Sequence, residues 1–424
     1  MAVVAEAVRL TDRRVLAALR LTVVAVVVLQ RFAVPGIGTA LCLPVVLAVL
    51  AYLGLGGALA EDQRRTRLYL LAAGGCCAAA LLSALHFASD WSLKSLALLV
   101  VLYLPFCLRL RPEHGHLYRP LLEFFNALMA VLACVAVAQW LAQFAGWTYR
   151  DLLDWVPDSL LVQGYNTTYP VQYGSPLMKA NAVVFLEPSF CSQFLAVALV
   201  VQLLLGGRRW RLPLYAAGLL ATVAGTGIVL LGVGLAVLAV RRGLAWTGRV
   251  LLVLLLLGVL LQGTLPGRIL AGRTTERTEQ DSSTQARFVT PYVLVAEGLA
   301  RDTATLFVGR GPGVVSNSSG ARYFNTEGID ANYPVVPKLA AEYGAVAAAL
   351  FVVFMVVALT RRTPSVTVSA MMLAVYFFLS GSLLQPHTVL AAWAFTSLFA
   401  TRPRAGPGEP EPRHRQPATL GAAP

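Results

Sequence analysis

The chain has 424 residues, of which 57% are hydrophobic and only 13% charged, with a mean hydropathy of +0.69. That balance excludes an ordinary soluble domain and points to an all-α, polytopic helical membrane protein. The formal net charge of +13 sits largely on arginines flanking apolar runs. No basic patch interleaves with exposed aromatics, so no nucleic-acid partner is expected.

Taken in order, apolar runs predict spans near 15–34, 37–59, 68–88, 92–109, 118–145, 183–205, 210–224, 226–240, 246–265, 337–359, 366–384 and 387–400. Each of these about twelve segments is near the ~20 residues that cross a bilayer as a helix. The pair around Gly225-Thr226-Gly227 is short enough to be one bent unit. The first run lacks an A-x-A-like site and is soon followed by a second, so it reads as an anchor, not a cleaved leader. All six cysteines fall in apolar segments, which argues for small buried side chains over a disulfide framework or metal site.

Basic residues alternate with the spans. Arg13/Arg14, Arg64/Arg65/Arg67, Arg109/Arg111/Arg119, Arg208/Arg209/Arg211, Arg241/Arg242/Arg249 and Arg361/Arg362 share one side with the arginine-bearing tail. The opposite short loops carry little beyond Arg31 and Lys94. By the positive-inside rule both termini are cytoplasmic. The chain then divides into helices 1–5 (1–145), a first outward segment (146–182), helices 6–9 (183–265), a large outward loop between spans 9 and 10 (266–336), helices 10–12 (337–400) and a disordered tail (401–424).

The first outward segment is rich in Trp, Tyr and Asp, suiting an interface belt or a sugar-stacking surface. The second is far longer than a connection needs and predicts a small folded element, with helical spacing over Phe288 to Leu299 and a sharp turn at Gly309-Arg310-Gly311-Pro312-Gly313. Glu187 lies inside an apolar run, where an ionised carboxylate costs roughly 2.5–3.5 kcal/mol and marks a functional site by default. The same topology places it at the outer end of its span. Lys179, Arg287, Arg301, Arg310, Arg322 and Lys338 are all assigned to that face. A carboxylate among guanidinium groups suits an anionic, lipid-linked substrate, because arginine forks neutralise and orient phosphate oxygens.

Three patches together resemble the O-antigen ligase and O-antigen polymerase superfamily. They are Phe185-Leu186-Glu187-Pro188-Ser189-Phe190 with Gln193-Phe194-Leu195, then Gln285-Ala286-Arg287-Phe288 followed by Gly309-Arg310-Gly311-Pro312-Gly313, then Asn332-Tyr333 leading into Leu339-Ala340-Ala341-Glu342-Tyr343-Gly344. The turn Ala224-Gly225-Thr226-Gly227 is similar to a further segment of that family. The resemblance implies a metal-independent, cofactor-free inverting glycosyltransferase on the outer face of a bacterial cytoplasmic membrane. Its donor would be an undecaprenyl-pyrophosphate-linked oligosaccharide, with membrane lipid, a flippase and a chain-length regulator as partners. Arg287 would bind the pyrophosphate, and Glu187 would orient or deprotonate the acceptor hydroxyl.

Ligases of that family carry a histidine where this chain has Tyr333, which favours a polymerase joining repeat units for surface polysaccharide. His387 is the reserve base. Arg310, Arg322, Asn332, Tyr333, Lys338 and Lys179 are candidate substrate contacts. The alternatives are a ligase moving finished glycan to another acceptor, and a transporter or flippase of lipid-linked glycan. The absence of a visible internal repeat weighs against the last.

Overall fold

The computed structural model describes residues 10–87, 91–172, 174–243, 245–249, 285–316, 322–326 and 331–399. The span expected at 246–265 lies largely outside these residues, as does the tail from 401. The described chain is mostly helical. In order come α1 (Asp12–Val28), α2 (Cys42–Leu55), β1 (Leu59–Glu61), α3 (Gln63–His86), α4 (Leu93–Tyr103), β2 (Leu108–Leu110) and α5 (Tyr118–Phe144). Then follow α6 (Pro188–Leu205), α7 (Arg211–Thr222), α8 (Gly225–Arg242), α9 (Gln285–Phe288), α10 (Thr290–Arg301), α11 (Thr303–Val308), α12 (Val335–Thr360), α13 (Val366–Ala374) and α14 (Pro386–Ala392). Among the described residues five helical segments are long and apolar enough to cross a membrane: Gln63–His86, Pro112–Phe144, Pro188–Leu205, Gly225–Arg242 and Val335–Thr360.

Several helix starts carry the local signal that sets them. Asp62, Ser92 and Ser365 each accept from a backbone N–H in the first turn of α3, α4 and α13, satisfying one of the donors a helix start leaves unpaired. Departures from the sequence reading also have local causes. The run at 92–109 is not one helix, because Pro105 interrupts the hydrogen-bond ladder and the chain passes through a 3-10 turn, Leu104–Cys107, into β2. β2 pairs antiparallel with β1, Leu59 opposite Leu110, so the all-α expectation meets one short two-stranded ladder. The run at 366–384 is regular only to Ala374, continues as a π-helical turn over Val375–Leu379, and breaks at Ser380. α14 likewise passes into a π-helical turn over Trp393–Ser397.

α6 is the central element. In α6, 72% of the apolar window is buried, against 22% for α8, and α5, α7 and α8 all pack on it. The approach of α8 depends on Gly227, where a Cβ would lie 2.6 Å from both Cβ and O of Ser192. That gives the Gly225-Thr226-Gly227 turn its packing reason. α3 and α12 form a second tight pair, and α14 contacts α1, α2 and α4.

Candidate active site at the start of α6

α6 begins at Pro188, with Glu187 at the residue before it in an extended conformation (φ −144°, ψ 157°). The expected span start at 183 is therefore five residues early. Proline suits the first helical position, since its missing N–H would be unpaired there in any case. The chain just upstream is irregular because it is held by side chains from elsewhere. Ala182 and Val183 have φ of 52° and 68°, a left-handed region that costs a β-branched residue energy unless its surroundings impose it.

The imposing groups are visible. The Asn181 Oδ1 accepts from the Val183 N–H at 3.0 Å, and Arg31 Nη1 donates to the Val183 carbonyl at 2.8 Å. Gln30 Oε1 accepts from the Leu186 N–H at 3.4 Å. Arg31 is itself fixed by a two-pronged pair with Asp151, Nη1 to Oδ1 at 2.8 Å and Nη2 to Oδ2 at 2.5 Å. Burial pushes the Asp151 carboxyl up, but hydrogen bonds from Arg31, the Leu153 N–H and Thr167, with the Arg31 charge, outweigh it and hold the group below its ordinary value.

The Glu187 carboxylate is half-buried, and its Oε2 accepts from Ser189 Oγ at 2.8 Å. Around it the structure gathers residues distant in sequence. Tyr165 packs edge-on to Phe190, ring centroids 6.0 Å apart, and Phe190 meets His387 edge-on at 4.6 Å. Burial, reinforced by the Glu187 charge and opposed by a hydrogen bond with Gln385, pushes the Tyr165 phenol up to about 12. The Tyr165 phenol is therefore neutral at neutral pH. His387 is 1% exposed, and neither ring nitrogen has a hydrogen-bond partner among the described residues.

The turn that carries Gln385 and His387 is tied back to α6. Gln193 Nε2 donates to the Leu379 carbonyl at 3.3 Å, and Ser380 Oγ donates to Gln193 Oε1 at 3.0 Å. Asn332 reaches the same turn: a Cβ on Gly381 would lie 3.1 Å from Asn332 Oδ1 and 3.4 Å from the Tyr333 carbonyl. The Tyr103 hydroxyl donates to the Leu383 carbonyl at 2.9 Å and lies 2.6 Å from the Tyr376 hydroxyl, bracing the turn from inside. Glu187, His387 and Asn332 thus converge on one end of the bundle through Phe190 and the Ser380–Gln385 turn.

Of the other candidates, Arg310, Lys338 and Lys179 are already engaged by neighbouring side chains. The Arg310 guanidinium lies between the rings of Phe87 (3.9 Å) and Tyr323 (3.7 Å), donates to Thr305 Oγ1 at 2.8 Å and pairs with Asp302 at 3.5 Å. Lys338 Nζ lies 3.4 Å from Ser316 Oγ and 3.8 Å from the buried Glu342 carboxylate. Lys179 is buried with its Nζ 4.0 Å from the centre of the Tyr169 ring. Arg322 is exposed; the Tyr333 hydroxyl is buried without a partner among the described residues. Arg287 belongs to α9, but its side chain lies outside the described residues.

The glycine-rich turn and the start of α12 are two halves of one junction. Gly344 has φ 74° inside α12, and a Cβ there would sit 2.3 Å from the Phe307 carbonyl oxygen. A Cβ on Gly309 would sit 2.5 Å from Glu342 C and Tyr343 N. The Arg310 and Gly311 N–H groups donate to the carbonyls of Ala341 and Glu342 at 2.9 and 3.0 Å. Two of the patches that carried the family resemblance are therefore in direct backbone contact.

Sequence reasoning missed Tyr165, Gln385, Arg31 and Asp151 as members of this arrangement. The available signal was polarity out of place: Gln30, Asn181 and Gln193 sit beside or within apolar runs and all are buried here. Among the described residues no cluster of three or more His, Cys, Asp or Glu side chains could hold a metal ion. In comparison with known proteins, the family model described as WcaD colanic acid polymerase matches residues 18–401. Neither curated proteins nor solved structures give a match.

Proposed function

The chain belongs to the WcaD colanic acid polymerase family, and from that premise we propose that it lengthens a surface polysaccharide by joining lipid-linked oligosaccharide repeat units at the Glu187 end of the bundle. It is an integral membrane protein of the polysaccharide-polymerase type. The finer reading is a chain of about twelve spans with both termini cytoplasmic, this end facing outward, and an undecaprenyl-pyrophosphate-linked donor. The observation that carries it is the convergence of Glu187, Tyr165, His387 and Asn332 at one end, with the half-buried carboxylate of that group at the start of the most enclosed of the five long apolar helices.

In this reading the acceptor hydroxyl attacks the anomeric carbon of the donor sugar. The bond from that carbon to the pyrophosphate oxygen breaks, and its electron pair leaves with the lipid pyrophosphate. The hydroxyl proton passes to Glu187, and one displacement inverts the anomeric carbon. Glu187 is favoured over His387 for the proton because it is reachable, whereas His387 stands behind Phe190 at 1% exposure and acts as a positioning group. Arg287 neutralises the charge that builds on the departing pyrophosphate.

The test is incubation of purified protein with a synthetic lipid-pyrophosphate repeat unit, read as chain length on a gel. Glu187→Gln keeps the size and removes the charge; loss of a general base typically costs 10²–10⁴-fold. Unit-length product from this variant, with folding unchanged, is the expected result. Wild-type chain length from Glu187→Gln overturns the assignment.

A further inference from the structure

Arg65, in the first turn of α3, is 1% exposed, and its Nε is buried without a hydrogen-bond partner among the described residues. Its Nη1 donates to the Ser397 carbonyl at 2.6 Å and its Nη2 to the Arg361 carbonyl at 2.9 Å. It thereby fastens the start of α3 to the end of α12 and to the turn after α14. Three further arginines stand on the elements joined here: Arg109 in β2, opposite Ala60 in the strand that leads into α3, and Arg361 and Arg362 just after α12, where Arg65 holds the Arg361 carbonyl. Asp62 is already occupied as the α3 cap, accepting from the Arg65 N–H at 3.2 Å, and its carboxylate is 3.9 Å from Arg65 Nε, too far for a hydrogen bond. Arg109 Nε and Arg361 Nη1 are buried with no partner among the described residues. Arg362 is held at φ 55°, a conformation a long side chain adopts only where its surroundings impose it.

Four arginines from three separate elements are thus brought to one junction, with the Asp62 carboxylate committed and with buried donors left over. Like charges gathered at one junction repel each other and favour a bound anion. Its place says which anion. It lies at the ends of α3 (24 residues) and α12 (26 residues), where long apolar helices leave the hydrocarbon and meet lipid headgroups. We propose that Arg109, Arg361 and Arg362 bind the phosphate of an anionic membrane phospholipid, with Arg65 as the fixed floor of the site. Planar guanidinium forks suit phosphate oxygens, and basic pockets between spanning helices are a known way to hold headgroups. The site is remote from the Glu187 end, so it stands or falls independently of the reading above.

The experiment uses the full chain in nanodiscs of phosphatidylcholine with or without phosphatidylglycerol, read by lipid retention in native mass spectrometry and by melting temperature. Wild type should retain phosphatidylglycerol preferentially and melt higher with it. The Arg109→Gln/Arg361→Gln double variant should lose that preference by about tenfold while melting normally in phosphatidylcholine. Should the double variant not fold, Arg362→Gln, an exposed position, should weaken retention severalfold. Equal retention by wild type and variants overturns the site. Equal protection by inorganic phosphate in phosphatidylcholine discs overturns the lipid as its ligand.

Discussion

Arg31→Met is the most informative perturbation of the Glu187 site, because Arg31 never touches Glu187. The side chains of Arg31 and Asp151 are 4% and 7% exposed. Deleting the cation leaves a buried carboxylate, and breaking a buried pair by removing one partner costs about 3–5 kcal/mol. The same change strips the Val183 carbonyl of its donor and lets a left-handed turn relax four residues before Glu187, the proposed base. Polymerisation should fall by about 100-fold, the typical cost of a misplacement near 1 Å at the chemistry. Adding Asp151→Leu removes the stranded charge, so the double variant should recover part of the stability, with a coupling of about 0.5–3 kcal/mol. It should not recover activity, since Val183 still lacks its anchor. Thermal melting in nanodiscs and the chain-length gel read the two effects separately. An Arg31→Met protein that melts like wild type and makes full-length chains refutes the argument, as does a double variant no more stable than the single one.

Three other outcomes follow from the same geometry. Gly344→Ala places a methyl group 2.3 Å from the Phe307 carbonyl at φ 74°. It should destabilise by more than about 1 kcal/mol, seen as a lower melting temperature and faster proteolysis within 303–316. Asp151 has a folded value below its ordinary one. Its contribution is therefore complete above pH ~3.9 and lost as pH falls through the depressed folded value. The melting temperature of wild type should drop in that acid window more steeply than that of Asp151→Asn; superimposable curves would dismiss the linkage. Tyr165→Phe removes the neutral hydroxyl near Glu187 and its hydrogen bond with Gln385, and should lower polymerisation about tenfold with little change in melting.

Much of this arrangement was legible from the chain because apolar runs make polar exceptions conspicuous. Glu187 stands out by cost alone, and the glycine-rich turn and the Glu342–Gly344 stretch by composition. That these two would close on each other could not be read, since the contact runs between backbones across about thirty residues. Nor could Arg31: alone in a short loop between apolar runs it resembles an interfacial cation, and its partner Asp151 is 120 residues away. Hydropathy gave the extent of apolar runs well but not where helices begin inside them. The start at Pro188 is decided by anchors on Asn181, Gln30 and Arg31, which no window over 183–205 contains.

The π-helical turn over Val375–Leu379 makes this site sensitive to counting as well as to chemistry. Such a turn holds one residue more than an α-helical turn would. Tightening that turn into regular helix with every residue kept would rotate everything after it by about 100° relative to α6. Ser380 would then swing away from Gln193, carrying Gln385 and His387 with it, though every side chain in the site was still present. The wide turn over Val375–Leu379 is as much a part of the candidate site's specification as the identity of Glu187.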